Sequence, residues 1–565
     1  MTEQSSFTAS AADAAGALDL LLADAALGPL RRMFPGLAGP RFVAGLARRP
    51  RRLAVRGTDL LREYAHIATG QSAVEPEKGD RRFADPAWTG NPGLRRLVQA
   101  YLATARSAES LVADAELQWR DDERMRFLVT NLIDALSPSN NPVISPVAWK
   151  AVIDTGGASA VRGVANLLTD LASPPRVPSM VESSAFEVGR TLARTPGSVV
   201  NRKPLYELIQ YAPQTEQVTA TPLLIIPPVI NKYYVVDLAP GRSMIEYLVR
   251  QGHQVFVVSW RNPDARQREN GFDAYAQCIL EALDAVRGIC QAGQAHLLGL
   301  CSGGIVASMA AAYLAETGRL EALATLSLGV TVLDQATAGL AAAAIDETTA
   351  RAAIAASARR GYLDGRALAE VFAWLRPNDL IWNYWVNNYL QGRKPPAFDV
   401  LYWNADTTRM AARLHHDFIT LALSNGLTKP GDAAICGTSI DLFKVDVDSY
   451  VIAGVSDHIC PWQSCYASTQ LLGGETRFVL STAGHVASLV NPPDNRKSTF
   501  RTADKNPPDP AAWLRSATTE KGSWWPDFSR WLAARSGPLA TRPETVGSTD
   551  YPAREPAPGT YVFDR

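Results

Sequence analysis

The feature that most constrains the fold of this chain is a cysteine set among glycines, between an apolar run and a stretch of small residues. Residues 296–300 form the apolar run, residues 299–304 read Gly-Leu-Cys-Ser-Gly-Gly, and residues 305–314 have a helical composition. Because glycine lacks a Cβ atom, a strand and the following helix can pass closely while the residue between them adopts a strained backbone. The helix N-terminus then points at the sulfur and favours the thiolate. We therefore predict that Cys301 is a nucleophile; the alternative is a buried structural cysteine in a glycine-rich turn.

From residue 205 onward, short β-branched runs alternate with helical segments, a pattern typical of a parallel sheet with crossover helices. The predicted strands cover residues 223–226, 255–259, 296–300, 325–328, 450–453 and 477–480. A strand, a sharp turn with G-x-C-x-G, and a helix correspond to the nucleophile elbow of α/β hydrolases, where lipases have G-x-S-x-G. We therefore predict an α/β-hydrolase fold whose catalytic core covers residues 205–332 and 445–535.

The rest of the chain divides into further predicted segments. Residues 81–204 carry apolar residues at helical spacing and predict a mostly helical N-terminal domain, preceded by a poorly determined segment at 1–80. Residues 333–444 interrupt the catalytic core with an insertion rich in tryptophan and tyrosine, which in this fold class is usually a cap over the active site. Residues 536–565 predict an extended C-terminal tail.

The acid and the base follow from the order of elements in the fold. An α/β hydrolase presents nucleophile, acid and histidine in that order, with the acid after a late strand and the histidine after the last one. Asp457 follows the run at 450–455 and His485 follows the run at 477–480, so both fit this order. His458 is less suited as the base, because neighbouring residues on a loop rarely orient each other through a hydrogen bond; it stays a candidate pocket residue.

The oxyanion donors and any metal ligands are harder to identify from side chains. In this fold one donor is the main-chain N–H after the nucleophile and another lies after an early strand. We accordingly assign the main chain of Ser302 and of Val229 or Ile230.

No metal site is predicted, because the segment Asp-His-Ile-Cys at 457–460 matches no zinc-ligand spacing. The six cysteines are sparse for this length, so a disulfide scaffold is not expected.

Charge and hydropathy exclude several classes of protein. Lys+Arg and Asp+Glu both number 56, so no net field attracts nucleic acid or anionic lipid. The first ten residues lack the basic cluster and apolar run of a signal peptide. The apolar stretch at 338–356 contains Asp346, Glu347 and Arg351 and predicts an amphipathic helix rather than a membrane span. We expect a cytoplasmic protein with no nucleic-acid partner and no transmembrane segment.

With these residues in place, the chain resembles the single-subunit polyhydroxyalkanoate synthases of class I/II type, from about Asp80 onward. The matching segments are residues 85–88, 226–234, 259–263, 299–304, 376–379, 383–389, 457–459, 484–485, 491–493 and 522–526. The resemblance implies an acyltransferase that polymerises (R)-3-hydroxyacyl coenzyme A into polyhydroxyalkanoate and releases coenzyme A through a covalent acyl-cysteine. It also implies that Cys301, Asp457 and His485 are catalytic. No cofactor is implied, since coenzyme A is part of the substrate and a product.

The resemblance further implies three partners: the growing polyester chain, the surface of the polymer granule and a second copy in a homodimer. It implies a cytoplasmic location on storage granules. Trp385, in the aromatic insertion, is a candidate pocket residue, because an apolar cap that excludes water favours transfer over hydrolysis. The sequence leaves open the monomer length, and whether Asp457 orients His485 or activates the acceptor hydroxyl. Two alternatives are a cysteine hydrolase of the same fold, either thioesterase or polyester depolymerase, and a non-catalytic granule-associated protein.

Overall fold

The computed structural model describes residues 25–26, 36–172, 174–335, 347–457 and 459–565, which fall into two compact units. The sheet unit comprises Ser183–Gly365 and Phe398–Arg565, with residues 25–26; the helical unit comprises the described part of Leu27–Glu182 and Arg366–Ala397. The insertion at 333–444 therefore contributes residues to both units. The domain boundaries given from the sequence stay predictions.

A ten-stranded mixed sheet forms the centre of the sheet unit. In chain order its strands are β1 (Gly197–Arg202), β2 (Tyr206–Tyr211), β3 (Leu223–Ile226), β4 (Val255–Trp260), β5 (Ala295–Leu300), β6 (Leu323–Gly329), β7 (Ser449–Gly454), β8 (Thr476–Ser481), β9 (Thr499–Thr502) and β10 (Thr518–Lys521). Their spatial order is β1-β2-β4-β3-β5-β6-β7-β8-β9-β10. Strands β3 to β8 are parallel to their neighbours within this group, and antiparallel pairs extend both edges. This arrangement confirms the α/β-hydrolase fold class.

The six parallel strands are the six that the sequence predicts, and each begins and ends within two residues of its predicted bounds. Strands β3, β4, β5 and β7 are buried along their whole length, as expected where helices cover both faces of a parallel sheet. The helices of this unit are Met244–Arg250, Phe272–Cys290, Ser302–Glu316, Glu347–Arg360, Asp399–Ala405, Ala412–Ser424, Trp462–Tyr466, Ser468–Leu471, His485–Leu489, Pro510–Ser516 and Trp525–Ala533. The predicted amphipathic helix at 338–356 is helical from Glu347, and residues 336–346 lie outside the described residues.

Two pairings of the parallel strands position the predicted site. Gly299 in β5 pairs with Ile226 in β3, so the elbow lies beside the loop that follows β3. Gly454 in β7 pairs with Ser481 in β8, so the loops carrying the predicted acid and histidine leave the sheet side by side. Since the carboxyl ends of parallel strands lie at one edge of a sheet, the elbow and these loops all leave the sheet at the same edge.

The C-terminal segment hydrogen-bonds to the first strands of the sheet unit, to which it belongs. The N–H of Val199 in β1 donates to Glu555 O at 2.9 Å, and the N–H of Arg554 donates to Val199 O at 2.8 Å. Near the end of the chain, the buried Lys232 ammonium donates to Asp564 O at 2.6 Å. The last residues thereby hydrogen-bond to the segment that follows β3.

The helical unit contains Ala38–Ala47, Pro50–Thr69, Ala87–Gly90, Pro92–Asp114, Trp119–Ala135, Pro146–Asp154, Ala158–Ala172 and most of Gly365–Leu375, followed by π-helical turns at Asn378–Trp382 and Trp385–Leu390. The arginine-rich segment around residue 50, which the sequence leaves poorly determined, begins the helix Pro50–Thr69. Its Arg56 guanidinium binds Asp114 at 2.6 Å. Among the helices that the structure describes in either unit, none combines the length and the apolarity that crossing a bilayer requires.

Candidate active site

Cys301 occupies a strained turn between β5 and the helix Ser302–Glu316. Its backbone has φ 50° and ψ −124°, and a positive φ is uncommon for any residue other than glycine. A Cβ atom at Gly303 would overlap the carbonyl of Pro227, and one at Gly304 would overlap the hydroxyl of Thr331. The glycines after the cysteine are therefore needed for close packing, which holds the sulfur at the apex of the turn.

The acid and the histidine form a tight pair beside this turn. His485 Nδ1 lies 2.7 Å from Asp457 Oδ2. The other carboxylate oxygen, Oδ1, accepts hydrogen bonds from the backbone N–H groups of Ile459 at 2.9 Å and Cys460 at 2.8 Å. The Asp457 side chain is 0% exposed. Both of its oxygens are thus occupied, and the carboxylate is fixed in the orientation that faces the imidazole.

The structure brings the three predicted triad residues together and adds a second thiol. The sulfurs of Cys301 and Cys460 and a ring nitrogen of His485 all lie within 4.8 Å of one another, and both cysteines are buried. In the sequence, Cys460 is weighed as a metal ligand and rejected, because the spacing at 457–460 matches no zinc pattern. Its place three residues after Asp457 puts it on the same loop as the acid, but does not show that its sulfur faces Cys301.

These contacts lower the pKa of the Cys301 thiol and raise the pKa of the His485 imidazole. The Cys460 thiol, which hydrogen-bonds to the Cys301 sulfur, is the largest influence lowering the pKa of Cys301 to about 5; His485 and the Ser302 N–H act the same way, against burial. Burial alone would lower the pKa of His485, but the charges and hydrogen bonds of Asp457 and Cys301 outweigh it and raise that pKa to about 10. Between these values the pair is a thiolate and an imidazolium.

The main chain near the elbow supplies N–H groups of the kind that hold an oxyanion. The Ser302 N–H hydrogen-bonds to the Cys301 sulfur, and the Val229 N–H donates to Ser302 Oγ at 3.1 Å. Ile230, the other residue assigned after β3, is buried beside Val229. The Ser302 hydroxyl therefore holds the N–H of Val229, one predicted donor, near the N–H of Ser302, the other. The oxyanion role of all three residues stays a prediction.

The structure does not add to the case for the two candidate pocket residues. His458 lies outside the described residues. Trp385 belongs to the helical unit, where its indole N–H donates to Asn140 O at 3.1 Å and its ring packs edge-on against Trp382 and Tyr389. Both stay predictions.

A metal ion would find suitable atoms at this site. Two sulfurs and one imidazole nitrogen are ligands that Zn²⁺ accepts in proteins, and Cys301, Cys460 and His485 present them within 4.8 Å of one another. Such an ion would occupy the predicted nucleophile and the predicted base together, so it would block their chemistry. The expectation that the protein uses no metal stays a prediction.

The low pKa of Cys301 predicts an unusual pH dependence of alkylation. We expect the rate of its reaction with iodoacetamide to be half-maximal near pH 5, since thiolate forms as the pH rises through its pKa. An ordinary thiol would reach half of its maximal rate near pH ~8.5. The Cys301→Ala variant gives the background from the two partly exposed cysteines, Cys290 and Cys436, whose pKa values burial raises. Circular dichroism at each pH checks the fold. A midpoint above pH ~8 would contradict the ion pair.

Comparison with known proteins gives consistent matches over most of the chain. Residues 79–248 match the family model described as "Poly-beta-hydroxybutyrate polymerase (PhaC) N-terminus", and residues 222–492 match that of the alpha/beta hydrolase fold. The chain is similar to poly(3-hydroxyalkanoate) polymerases 2 and 1 of Ectopseudomonas oleovorans, each 46% identical over 503 residues, covering 89% of this chain and 90% of the relative. It is 39% identical over 542 residues to the poly(3-hydroxyalkanoate) polymerase subunit PhaC of Cupriavidus necator, covering 93% of this chain and 91% of that one.

Proposed function

Because the chain belongs to the family of poly(3-hydroxyalkanoate) polymerases, and is therefore an acyltransferase that polymerises hydroxyalkanoate, we propose that it carries the acyl group on Cys301 and releases coenzyme A. The proposed substrate is an (R)-3-hydroxyacyl coenzyme A. The observation that carries the proposal is the cluster of the Cys301 sulfur, the His485 imidazole and the buried Asp457 carboxylate. The non-catalytic alternative is set aside, since the family consists of enzymes.

In the first step the thiolate of Cys301 attacks the thioester carbon of the substrate. The carbonyl oxygen becomes an oxyanion, for which the N–H groups of Ser302 and of Val229 or Ile230 are the proposed donors. The Val229 N–H would exchange its present acceptor, Ser302 Oγ, for the oxyanion. Collapse breaks the bond to the coenzyme A sulfur, which takes the proton of the His485 imidazolium and leaves. The product is an acyl-cysteine thioester, similar in energy to the substrate.

In the second step a 3-hydroxyl group, from another monomer or from the chain end, attacks the acyl-cysteine. Its proton must go to a base, and the neutral imidazole of His485 left by the first step is suited to accept it. The new ester bond forms as the bond to Cys301 breaks, which restores the thiolate and the imidazolium. No cofactor enters either step.

The geometry supports an orienting role for Asp457 over direct activation of the hydroxyl. One carboxylate oxygen binds His485 Nδ1 and the other accepts two backbone N–H groups. With no exposed side-chain surface, the carboxylate has no free oxygen facing a substrate. We therefore propose that Asp457 selects the histidine tautomer whose Nε2 can take a proton, as the acid does in serine hydrolases.

The experiment that tests this function separates transfer from hydrolysis. Purified protein is incubated with (R)-3-hydroxyacyl coenzyme A, and released coenzyme A, polymer and free hydroxy acid are measured in the same sample. The proposal predicts that the released coenzyme A is accounted for by polymer. Coenzyme A release matched by free acid would instead favour the cysteine hydrolase, either thioesterase or depolymerase. A series of acyl lengths in the same assay determines the preferred monomer.

The helical unit carries an apolar surface that suits a polyester granule. The helix Ala158–Ala172 exposes Val161, Val164, Leu168 and Leu171, each between 49% and 72% exposed. Their spacing of three and four residues places them on one side of the helix. On another side the helix approaches a neighbouring segment so closely that a Cβ atom at Gly163 would overlap the carbonyl of Tyr389. We propose that these four residues, the apolar stripe, contact the surface of the polymer.

Removing the apolar character of the stripe should weaken binding to polymer. We expect the double variant Val164→Glu/Leu168→Glu to bind polyhydroxyalkanoate particles on the order of 100-fold more weakly, since two apolar side chains buried against the polymer contribute about 3 kcal/mol in total. Leu423→Glu, on an exposed helical position of the sheet unit, is the matched control. Co-sedimentation with washed particles measures the bound fraction, and equal binding of the double variant and the control would refute the surface. The homodimer and the cytoplasmic location stay predictions.

A further inference from the structure

Cys460 forms no bond to the substrate in the proposed transfer; its thiol contacts the nucleophile and lowers the pKa of Cys301. We infer that Cys301 and Cys460 form a reversible disulfide when a hydroperoxide reaches the site, and that Cys460 thereby protects the nucleophile from irreversible oxidation. Their sulfurs lie within 4.8 Å of each other. The two sulfurs of a disulfide lie about 2 Å apart, so side-chain rotation has to move these sulfurs a few ångströms closer together.

The first half of the reaction needs a thiolate, and Cys301 is the cysteine suited to supply it. All six cysteines lie in the described part of the chain, and the pKa of each of the other five is raised. The main cause is the hydrogen bond to Cys301 for Cys460 and burial for the other four. The Cys301 sulfur attacks one oxygen of the hydroperoxide and the O–O bond breaks. The other oxygen takes the proton of the His485 imidazolium and leaves as the alcohol or as water. Cys301 becomes a sulfenic acid, and the peroxide takes up the two electrons.

The second half needs a neighbouring thiol, and oxidation of Cys301 prepares Cys460 for that role. The pKa of Cys460 is raised first by its hydrogen bond to the Cys301 thiolate and then by burial. A neutral sulfenic acid removes the first cause, so the Cys460 thiol loses its proton more readily. Its sulfur attacks the Cys301 sulfur, the S–O bond breaks, and the hydroxyl leaves with a proton as water. The overall change is two thiols plus one hydroperoxide to a disulfide, water and an alcohol.

The backbone around Cys460 holds it in position for this reaction. Its N–H donates to Asp457 Oδ1 at 2.8 Å, so the acid anchors the residue whose sulfur faces the nucleophile. Cys465 offers a matched comparison: it is also buried, and its thiol hydrogen-bonds to the carbonyl of Cys460 at 3.8 Å. Its sulfur does not belong to the cluster formed by Cys301, Cys460 and His485. Cys460 is therefore the cysteine placed to react with an oxidised Cys301.

The test treats the full-length protein, without substrate, with a small excess of hydrogen peroxide, and then blocks the remaining thiols. In the wild type we expect an intact mass about 2 Da lower before the thiols are blocked, and a cross-linked pair of peptides containing Cys301 and Cys460 after blocking. In an unblocked portion of the same sample, dithiothreitol should restore most of the coenzyme A release. In Cys460→Val we expect no cross-link, a gain of about 32 Da on the Cys301 peptide from sulfinic acid, and little recovery. Cys465→Ala should behave like the wild type.

Two outcomes would overturn the inference. One is a cross-link between Cys460 and Cys465 in place of that to Cys301. The other is a Cys460→Val variant whose Cys301 peptide stays free of sulfinic acid and which recovers as the wild type does. Because the mass readouts need no turnover, they stand even if Cys460→Val is a poor enzyme. They also distinguish this inference from the proposed function, whose failure would appear in the products of the untreated protein.

Discussion

Cys301→Ala is expected to lower coenzyme A release by about 10⁴-fold or more, because alanine offers no atom that can form the acyl-enzyme. The fold should persist, since the strained turn depends on the glycines around position 301 rather than on the sulfur. Coenzyme A release is measured with a thiol reagent, and the melting temperature is measured on the same preparation. We expect no polymer from this variant at any substrate concentration.

The control for this result is Cys436→Ala, at a partly exposed position away from the elbow, which should retain nearly full activity. The comparison separates loss of the nucleophile from loss of a cysteine in general. Substantial turnover by a well-folded Cys301→Ala protein would eliminate Cys301 as the nucleophile.

Asp457→Asn is expected to separate acylation from chain growth. The backbone N–H groups of Ile459 and Cys460 both donate to one oxygen of the acid, so an asparagine must keep its carbonyl there and turn its amide NH₂ toward His485. The imidazole then accepts at Nδ1 and carries its proton on Nε2. In that form it can still donate to the Cys301 thiolate, but it cannot take a proton from a hydroxyl.

We therefore expect Asp457→Asn to keep a measurable burst of coenzyme A release while polymer growth falls by about 10³-fold or more. A cysteine begins nearer to its reactive ionisation state than a hydroxyl does, so the first step depends less on the base. His485→Gln should depress both steps. Asp446→Asn, at an exposed position, is the matched control. Rapid quench at near-equal enzyme and substrate concentrations measures the burst, and equal losses in burst and growth would refute this division.

The parallel half of the sheet could be predicted because burial on both faces leaves a continuous apolar run. Strand β3 reads Leu-Leu-Ile-Ile and is buried throughout, and its predicted and observed bounds agree. The edge strands gave no such signal. Strand β10 reads Thr-Thr-Glu-Lys and is fully exposed, so only its pairing with β9 defines it.

Strand β2 was missed for the opposite reason, since it is fully buried but contains charge. Its Glu207 accepts a hydrogen bond from Arg202 in β1 and from the backbone N–H groups of Thr560 and Tyr561, more than 350 residues away in the chain. A buried carboxylate is stable only with such partners. Local sequence supplies Arg202 but cannot supply the two N–H groups, because they come from the C-terminal tail.

The candidate triad could be predicted because the order of strands in this fold dictates which loops meet. Asp457 and His485 each follow a strand by a few residues, and register places those strands side by side. Cys460 could not be assigned in the same way. Whether its sulfur faces the elbow depends on the turn that the Asp457 carboxylate forms with the N–H groups of Ile459 and Cys460, a detail of three-dimensional geometry.

The most direct test of the central claim, that Cys301 carries the acyl chain, is to trap and locate the acyl group. A coenzyme A ester that lacks the 3-hydroxyl can acylate the thiol but offers no hydroxyl for extension. After rapid acid quench and digestion, mass spectrometry should find about one acyl group per chain on the peptide that contains Cys301, formed as fast as the first equivalent of coenzyme A is released. An acyl group on another residue, Cys460 included, or coenzyme A release with no acyl-enzyme at all, would contradict the account.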